Sequence, residues 1–455
     1  MSACEPGNAT AHPQERPAET AASELRGANL VLIILDTLRA DVLGCYGSAL
    51  ETSREVDELA RKGVVFERVI AQCSWTRPSI GSFLTSRYPR ELGLYDEKDE
   101  ILADSFETLA ETLKKAGYST IGITANPNIN GAFGFGQGFD RHLDSTTVFP
   151  WMAIGGDSYR DKKLMSAKEA FQAALKYIDE LSPPYYLELD VMEMHEHFQD
   201  DSHSLIRSEF RDLYPEQSDK AYFQSLRQLS VDVGDLVATL EMREEFANTL
   251  FVLVSDHGEG LGDHPDVLDS RLHGRLLYES NVSVPLILYA PSRPADWRSR
   301  VSNAVRLLDL KPTLLDLLSV PRNEEDRGVS LVPLMRGQKA PAELPELFVT
   351  ETEFRDYQKI GAYGTEWKYF ENHDQHKGLP RRELQKIGVK ENGTLTDQRE
   401  SQREESRRMR RFLREFEDRF QRRPPTLRSS SLTEGEIEQL EAIGYLKKNE
   451  PDRDE

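Results

Sequence analysis

The most constraining feature of the chain is an uninterrupted apolar run, Thr249-Leu250-Phe251-Val252-Leu253-Val254, that ends in Ser255-Asp256-His257-Gly258-Glu259. Six consecutive residues of this kind read as a strand buried on both faces, the hallmark of a parallel sheet covered by helices. Asn29-Leu30-Val31-Leu32-Ile33-Ile34-Leu35 repeats the pattern near the N-terminus and runs straight into Asp36. Open α/β sheets bind ligands at the carboxyl ends of their strands. Two strands tipped by Asp36 and by Asp256 and His257 therefore point to one shared site for a divalent cation, which takes oxygen and imidazole ligands.

A third segment supplies a hydroxyl. In Ser74-Trp75-Thr76-Arg77-Pro78-Ser79-Ile80-Gly81-Ser82, Pro78 just inside an apolar-periodic stretch marks a helix start. Thr76 then lies at the mouth of a helix, whose free N–H groups and dipole favour an anion. A hydroxyl there is placed for in-line attack on a phosphate or sulfate ester, once a metal ion lowers its pKa.

These motifs, in this order, resemble the sulfatase branch of the alkaline phosphatase superfamily over roughly residues 28 to 370. The resemblance also rests on Asp36-Thr37-Leu38-Arg39-Ala40-Asp41, Gly136-Gln137-Gly138-Phe139-Asp140, Met194-His195, His273-Gly274, Asp309-Leu310-Lys311-Pro312 and the terminal Ile443-Gly444-Tyr445-Leu446. It implies an alkaline-phosphatase-like α/β fold, a mostly parallel sheet sandwiched by helices, with a small C-terminal antiparallel sheet subdomain. True sulfatases place at the nucleophile position a Cys or Ser that is oxidised to formylglycine, with Pro two residues on and Arg four on. In this chain Pro78 matches, but the nucleophile position is Thr76 and Ile80 replaces the Arg. Oxidising a threonine gives a ketone and the Arg is absent, so formylglycine chemistry is not expected. An unmodified Thr resembles the phosphoglycerol- and phosphoethanolamine-transferase and phosphodiesterase relatives. By that resemblance Asp36, Thr76, Asp256 and His257 hold one divalent metal (Mn, Mg, Ca or Zn) and Thr76 is the nucleophile. His195 assists the leaving alcohol, while His273, Arg275, Arg77 and Asn126 line the pocket for an anionic ester substrate. His197 and His264 have weaker claims. Asp190 or Glu193 with His195 forms an alternative second metal site. The expected activity is hydrolysis or transfer of phosphodiester- or phosphonate-type esters. Its competitors are a sulfatase without formylglycine and a non-catalytic binding protein on this scaffold.

Composition limits the partners. With 57 basic against 78 acidic residues, the net charge is −21. That excludes the basic footprint a nucleic-acid binder requires, and it leaves attraction of an anionic substrate to local charges. No apolar run reaches the length of about 18 residues that a membrane span needs. The first residues lack a basic-then-apolar leader, and Cys4, Cys45 and Cys73 form no paired spacing, so a cytoplasmic setting is expected. Residues 1–27, rich in Ala, Pro, Glu and Thr, are expected to be disordered. A catalytic domain is expected over 28–345, a small subdomain over 346–425, and a tail over 426–455. Strands are expected at Leu30–Leu35, Thr120–Thr124, Tyr185–Val191, Leu250–Val254 and Leu286–Tyr289. Helices are expected at Arg54–Lys62, Phe106–Ala116, Ser166–Leu181, Tyr222–Leu240 and Leu310–Leu318. Met409, Phe412, Phe416 and Phe420 fall on one stripe of a charged segment, the mark of a helix docked on its own protein.

Overall fold

The computed structural model describes residues 25–428 apart from 96–98, 145–164, 196–204, 265–266, 268–269, 356, 374–378 and 389–396. The expectations for 1–24 and 429–455, and for His197, lie outside the described residues.

Nine strands form the main sheet: β1 (Asn29–Leu35), β2 (Val64–Ile70), β3 (Ser119–Thr124), β4 (Arg141–Leu143), β5 (Tyr185–Val191), β6 (Thr249–Val254), β7 (Ser283–Val284), β8 (Leu286–Tyr289) and β9 (Arg300–Arg306). Their order is β4-β3-β5-β1-β6-β8-β2-β7, with β9 also pairing to β2. The run from β4 to β6 is parallel, whereas β8 pairs antiparallel to both β6 and β2. Every residue of β1, β5 and β6 is buried, as strands covered by helices on both faces must be. Helix Lys220–Glu241 packs between Arg54–Lys62 and Ala167–Ile178 to make one covering layer. Helices Thr76–Thr85, Leu109–Lys115 and Leu310–Leu317 make the other. Capping boxes start two of them: Thr108 accepts from Glu111 N and Ser166 from Glu169 N, each glutamate reaching back to its cap.

Because β1, β5 and β6 are adjacent and parallel, their carboxyl ends open at one rim. Asp36, Asp190 and Asp256 all arise there.

A second, four-stranded antiparallel sheet follows in the order β10 (Phe348–Phe354), β11 (Tyr357–Tyr363), β12 (Trp367–Asn372) and β13 (Arg382–Lys386). Helix Arg403–Arg419 lies on this sheet, with Met409, Leu413 and Phe416 buried among Val349, Ile360, Ala362 and Tyr369, while Phe412 and Phe420 pack at the edge. Tyr88 of the main domain meets Phe416 edge-on at 4.7 Å between ring centroids, a geometry that aromatic quadrupoles favour. The chain then returns to the main domain, where Ile101 N donates to Thr426 O at 2.8 Å and Arg423 N to Arg90 O at 2.8 Å.

Candidate metal and ester-binding site

Two loops that follow β1 and β6 are stitched together before any ligand is considered. Asp256 Oδ1 accepts from Thr37 N at 3.3 Å and from His257 N at 2.8 Å. Ser255 Oγ accepts from Leu38 N at 3.0 Å. Thr37 adopts a left-handed backbone, φ 58°, at the turn immediately after Asp36. Arg39 pins the far side by pairing with Asp41 at 2.8 Å and Asp263 at 2.7 Å and donating to Glu259 O at 3.2 Å.

Inside this frame the ligand atoms of Asp36, Asp256 and His257 lie within 4.8 Å of one another, and all three residues are buried. His257 Nδ1 donates to Gly258 O at 2.9 Å. That bond fixes the tautomer and leaves the Nε2 lone pair directed at the carboxylates. Nε2 stands 3.3 Å from Asp256 Oδ2 and 3.7 Å from Asp36 Oδ1. Those two oxygens have no hydrogen-bond partner among the described residues, a state that buried acceptors rarely tolerate. Burial, then the charges of Asp256 and Asp190, push the Asp36 carboxyl well above its ordinary range. Burial likewise lowers His257 to about 4, which keeps the imidazole neutral. Orphaned carboxylate oxygens facing a neutral imidazole are what a divalent cation would satisfy. Among the described residues no other group of three such side chains comes together. Asp190 accepts from Thr124 Oγ1 at 3.2 Å and Glu193 accepts from the N–H of Ala167, and with His195 they do not come together as a group of three ligands among the described residues.

Thr76 is the first residue of its helix, with Trp75 as N-cap. Its Oγ1 is 3.2 Å from His257 Nε2 and 3.5 Å from Asp36 Oδ2, and Ser79 Oγ donates to Asp256 O at 2.6 Å to dock that helix on the β6 loop. Asn126, in the turn after β3, donates to Asp36 Oδ2 through a short bond, while its own Oδ1 accepts from Asn128 N at 2.9 Å. His195 closes the turn after β5, its N–H bonded to Met192 O at 2.9 Å. The His195 ring lies 5.0 Å from His273, and His273 lies 4.7 Å from His257, so the three imidazoles form a row. Burial, followed by the positive neighbours His195, Arg275 and Arg355, drives His273 well below the usual histidine range.

The expectation that Arg77 contacts the anion needs correction. One helical step past Thr76 turns its guanidinium into the protein. There it donates to Asn128 O at 3.2 Å, Asn128 Oδ1 at 3.0 Å and Glu100 O at 3.1 Å, and lies 3.7 Å above the Phe133 ring. His264 packs on Tyr278 at 4.7 Å. Glu259 is the residue that the sequence reading left without a role. Fully buried, its Oε2 accepts from His273 Nδ1 at 2.9 Å. The signal was its place beside His257, where the strand-end loop must stay within the site.

Residues 28–320 match the family model for sulfatases. Mouse iduronate 2-sulfatase is 25% identical over 396 residues, 68% of each chain. Delta 4,5-hexuronate-2-O-sulfatase of Bacteroides thetaiotaomicron is 21% identical and covers 78% of this chain and 79% of its own length. In structure the chain is similar to the phosphonate monoester hydrolase of Agrobacterium radiobacter, with a TM-score of 0.67 over 90% of this chain and 98% of that one at 18% identity. The match over residues 28–320, together with the shared architecture, places the chain in the sulfatase family of ester hydrolases, within the alkaline phosphatase superfamily.

Proposed function

We propose that the chain is a metal-dependent phosphoesterase or phosphotransferase that uses the unmodified hydroxyl of Thr76 as nucleophile on phosphodiester- or phosphonate-type esters. The observation that carries this reading is Thr76 Oγ1 itself, 3.2 Å from His257 Nε2 and 3.5 Å from Asp36 Oδ2 at the first turn of a helix. Asp36, Asp256 and His257, with Thr76, would hold one divalent cation. When bound, that cation supplies positive charge that lowers the hydroxyl pKa and draws in an anionic ester.

The chain's own residues do the rest. Asn126 holds Asp36 in place, and the Asp36 carboxylate receives the Thr76 hydroxyl hydrogen bond. Oγ1 attacks phosphorus as its proton passes to Asp36, the bond to the leaving alkoxide breaks, and Thr76 becomes esterified as a phosphodiester or phosphonate ester that keeps the substrate's other substituent. His195 supplies the proton that the departing alkoxide needs. His273, held by Glu259, and Arg275 contact the remaining anionic oxygens. Water or a second alcohol then takes the substituted phosphoryl or phosphonyl group from Thr76, whose oxygen regains its proton.

A second reading, a sulfate-ester hydrolase without formylglycine, is favoured by the sulfatase names of the relatives. The two separate by turnover of purified chain on matched aryl phosphodiester, phosphonate and sulfate esters with Mg, Mn, Ca or Zn. Phosphorus esters should dominate, Thr76 should have the mass of threonine, and Thr76→Ala should lose turnover by several orders of magnitude. Losing an N1 threonine costs the fold little, since even a true capping side chain contributes about 1 kcal/mol. Near-wild-type turnover in that variant, or preference for the sulfate ester, would overturn the proposal.

A further inference from the structure

The segment that carries His273 is clasped by the tip of the second sheet. Gly274 N donates to Ser74 O at 2.7 Å, two residues before Thr76, and Gly274 O accepts from Thr352 Oγ1 at 2.6 Å on β10. The Phe354 ring lies against Gly274 and meets Trp75 at 5.4 Å between centroids. Phe354 pairs with Tyr357 across the β10–β11 hairpin, so only residues 355–356 separate the two strands. Phe354, the last residue of β10, therefore stands beside the nucleophile loop, and Arg355 follows it directly.

Arg355 sits in that connection with a left-handed backbone, φ 56°. Two-residue hairpin loops call for positive φ and normally recruit Gly, Asn or Asp there. An arginine in this conformation carries a steric penalty of about 1–2 kcal/mol, and such strain concentrates at functional positions. Its guanidinium lies 5.0 Å from the Phe354 ring, while that of Arg275 lies 5.4 Å from the Tyr357 ring. Two cations thus flank one hairpin tip, each braced on an aromatic face. In a molecule of net charge −21, a pair of cations beside the site is a local exception to a field that repels anions.

We infer that Arg355, standing beside Arg275, is an anion-reading rim that selects esters whose leaving alcohol carries its own negative group, a carboxylate or a sulfonate-type oxoanion. The inference rests on the proposed ester chemistry at Thr76 and adds the second charge on the substrate. Arg355 is exposed, so it can meet a group outside the reacting centre. Its role is substrate selection, and it touches none of the reacting atoms.

The test uses the metal-loaded full chain and three methylphosphonate monoesters, of para-nitrophenol and of its ring-carboxylated and ring-sulfonated counterparts. Wild type should show the lower KM for the two charged esters. Arg355→Gln should raise that KM about tenfold, the loss of one charge-assisted contact. It should leave kcat and the uncharged ester unchanged, and Arg355→Lys should retain most of the preference. Which charged ester is favoured distinguishes a carboxylate from an oxoanion. Equilibrium binding of the three free phenols by calorimetry supplies a readout that needs no turnover. If no ester reacts but charged phenols bind better in an Arg355-dependent way, the rim stands and the proposed reaction fails. Equal effects of Arg355→Gln on charged and uncharged ligands, or no wild-type preference in either assay, would overturn the inference.

Discussion

Asp256 divides its two carboxylate oxygens between folding and chemistry. Oδ1 accepts the N–H groups of Thr37 and His257, whereas Oδ2 is buried with no hydrogen bond among the described residues. Asp256→Asn keeps an acceptor for the first task but loses the charge for the second. It should therefore fold with a near-normal melting temperature of the metal-free chain, yet fail to retain the one metal ion per chain expected of wild type. Asp256→Ala should lose both, because an unmet backbone N–H in the interior costs about 1–3 kcal/mol. Metal content by mass spectrometry decides it, and stoichiometric metal at wild-type affinity in either variant would remove Asp256 from the ligand set. His195 calls for a different measurement. A general acid contributes roughly 10² to 10⁴ in rate, chiefly where the leaving alcohol is poor. His195→Ala should slow alkyl esters strongly and nitrophenyl esters far less, with metal content unchanged; equal losses would leave only a positioning role. At this scale the sequence was legible where a strand ended in an acid or imidazole, as at Asp36, Asp256 and His257. Adjacency misled at Arg77, since a helix rotates each successive side chain by about 100° away from its neighbour. Arg355 was invisible, because no local pattern tells a reader that a hairpin tip more than 80 residues further along the chain will lie beside His273.

The elements show the same division. β1, β6 and β8 were readable because strands enclosed on both faces are written as unbroken apolar runs, and β5 because Glu188 and Asp190 only interrupt such a run; the structure places all four within a residue of expectation. β9, Arg-Val-Ser-Asn-Ala-Val-Arg, escaped notice because polar and exposed positions interrupt its apolar ones at the margin of the sheet. β2 carries Glu67 and Arg68 within its length and escaped for a similar reason. Neither the clasp between the second sheet and the Gly274 turn nor its consequences could be read from spacing. Gly274 has φ +79°, and a Cβ there would stand 2.9 Å from the Phe354 ring. Gly117 has φ +91° with nothing within 4 Å of the same added atom. Alanine at Gly117 should therefore cost only the left-handed backbone penalty of about 1–2 kcal/mol. Alanine at Gly274 should cost that plus displacement of a buried ring, and should reduce turnover as the Ser74–Gly274 bond shifts the Thr76 loop. Denaturant unfolding of the two variants isolates the packing contribution. Equal destabilisation would mean that Phe354 does not press on Gly274.

Across the whole molecule, acidity acts on stability in opposite senses at different depths. Most of the excess negative charge is solvated, but Glu188 lies in the middle of β5, flanked by β1 and β3, where its partner is the Tyr186 hydroxyl, which donates to it. Burial pushes the Glu188 carboxyl up to about 7, only partly offset by that hydrogen bond. A folded-state value above the unfolded one means that the native chain holds the proton more tightly. The associated stability is complete below the ordinary glutamate value of 4.5 and is lost as pH rises through about 7. Glu188→Gln retains an acceptor for Tyr186 and cannot ionise, so its stability should not show this decline. Relative to wild type, the variant should thus gain stability steadily from pH 5 to pH 8, with the two curves running parallel above and below that window. The comparison should be made on metal-saturated chains by urea unfolding, since the titration of the Asp36–His257 cluster is then common to both and cancels in the difference. A wild-type-to-variant gap that stays constant with pH would show that Glu188 is ionised in the folded protein, and the buried strand would then need a counter-charge that Tyr186 does not provide.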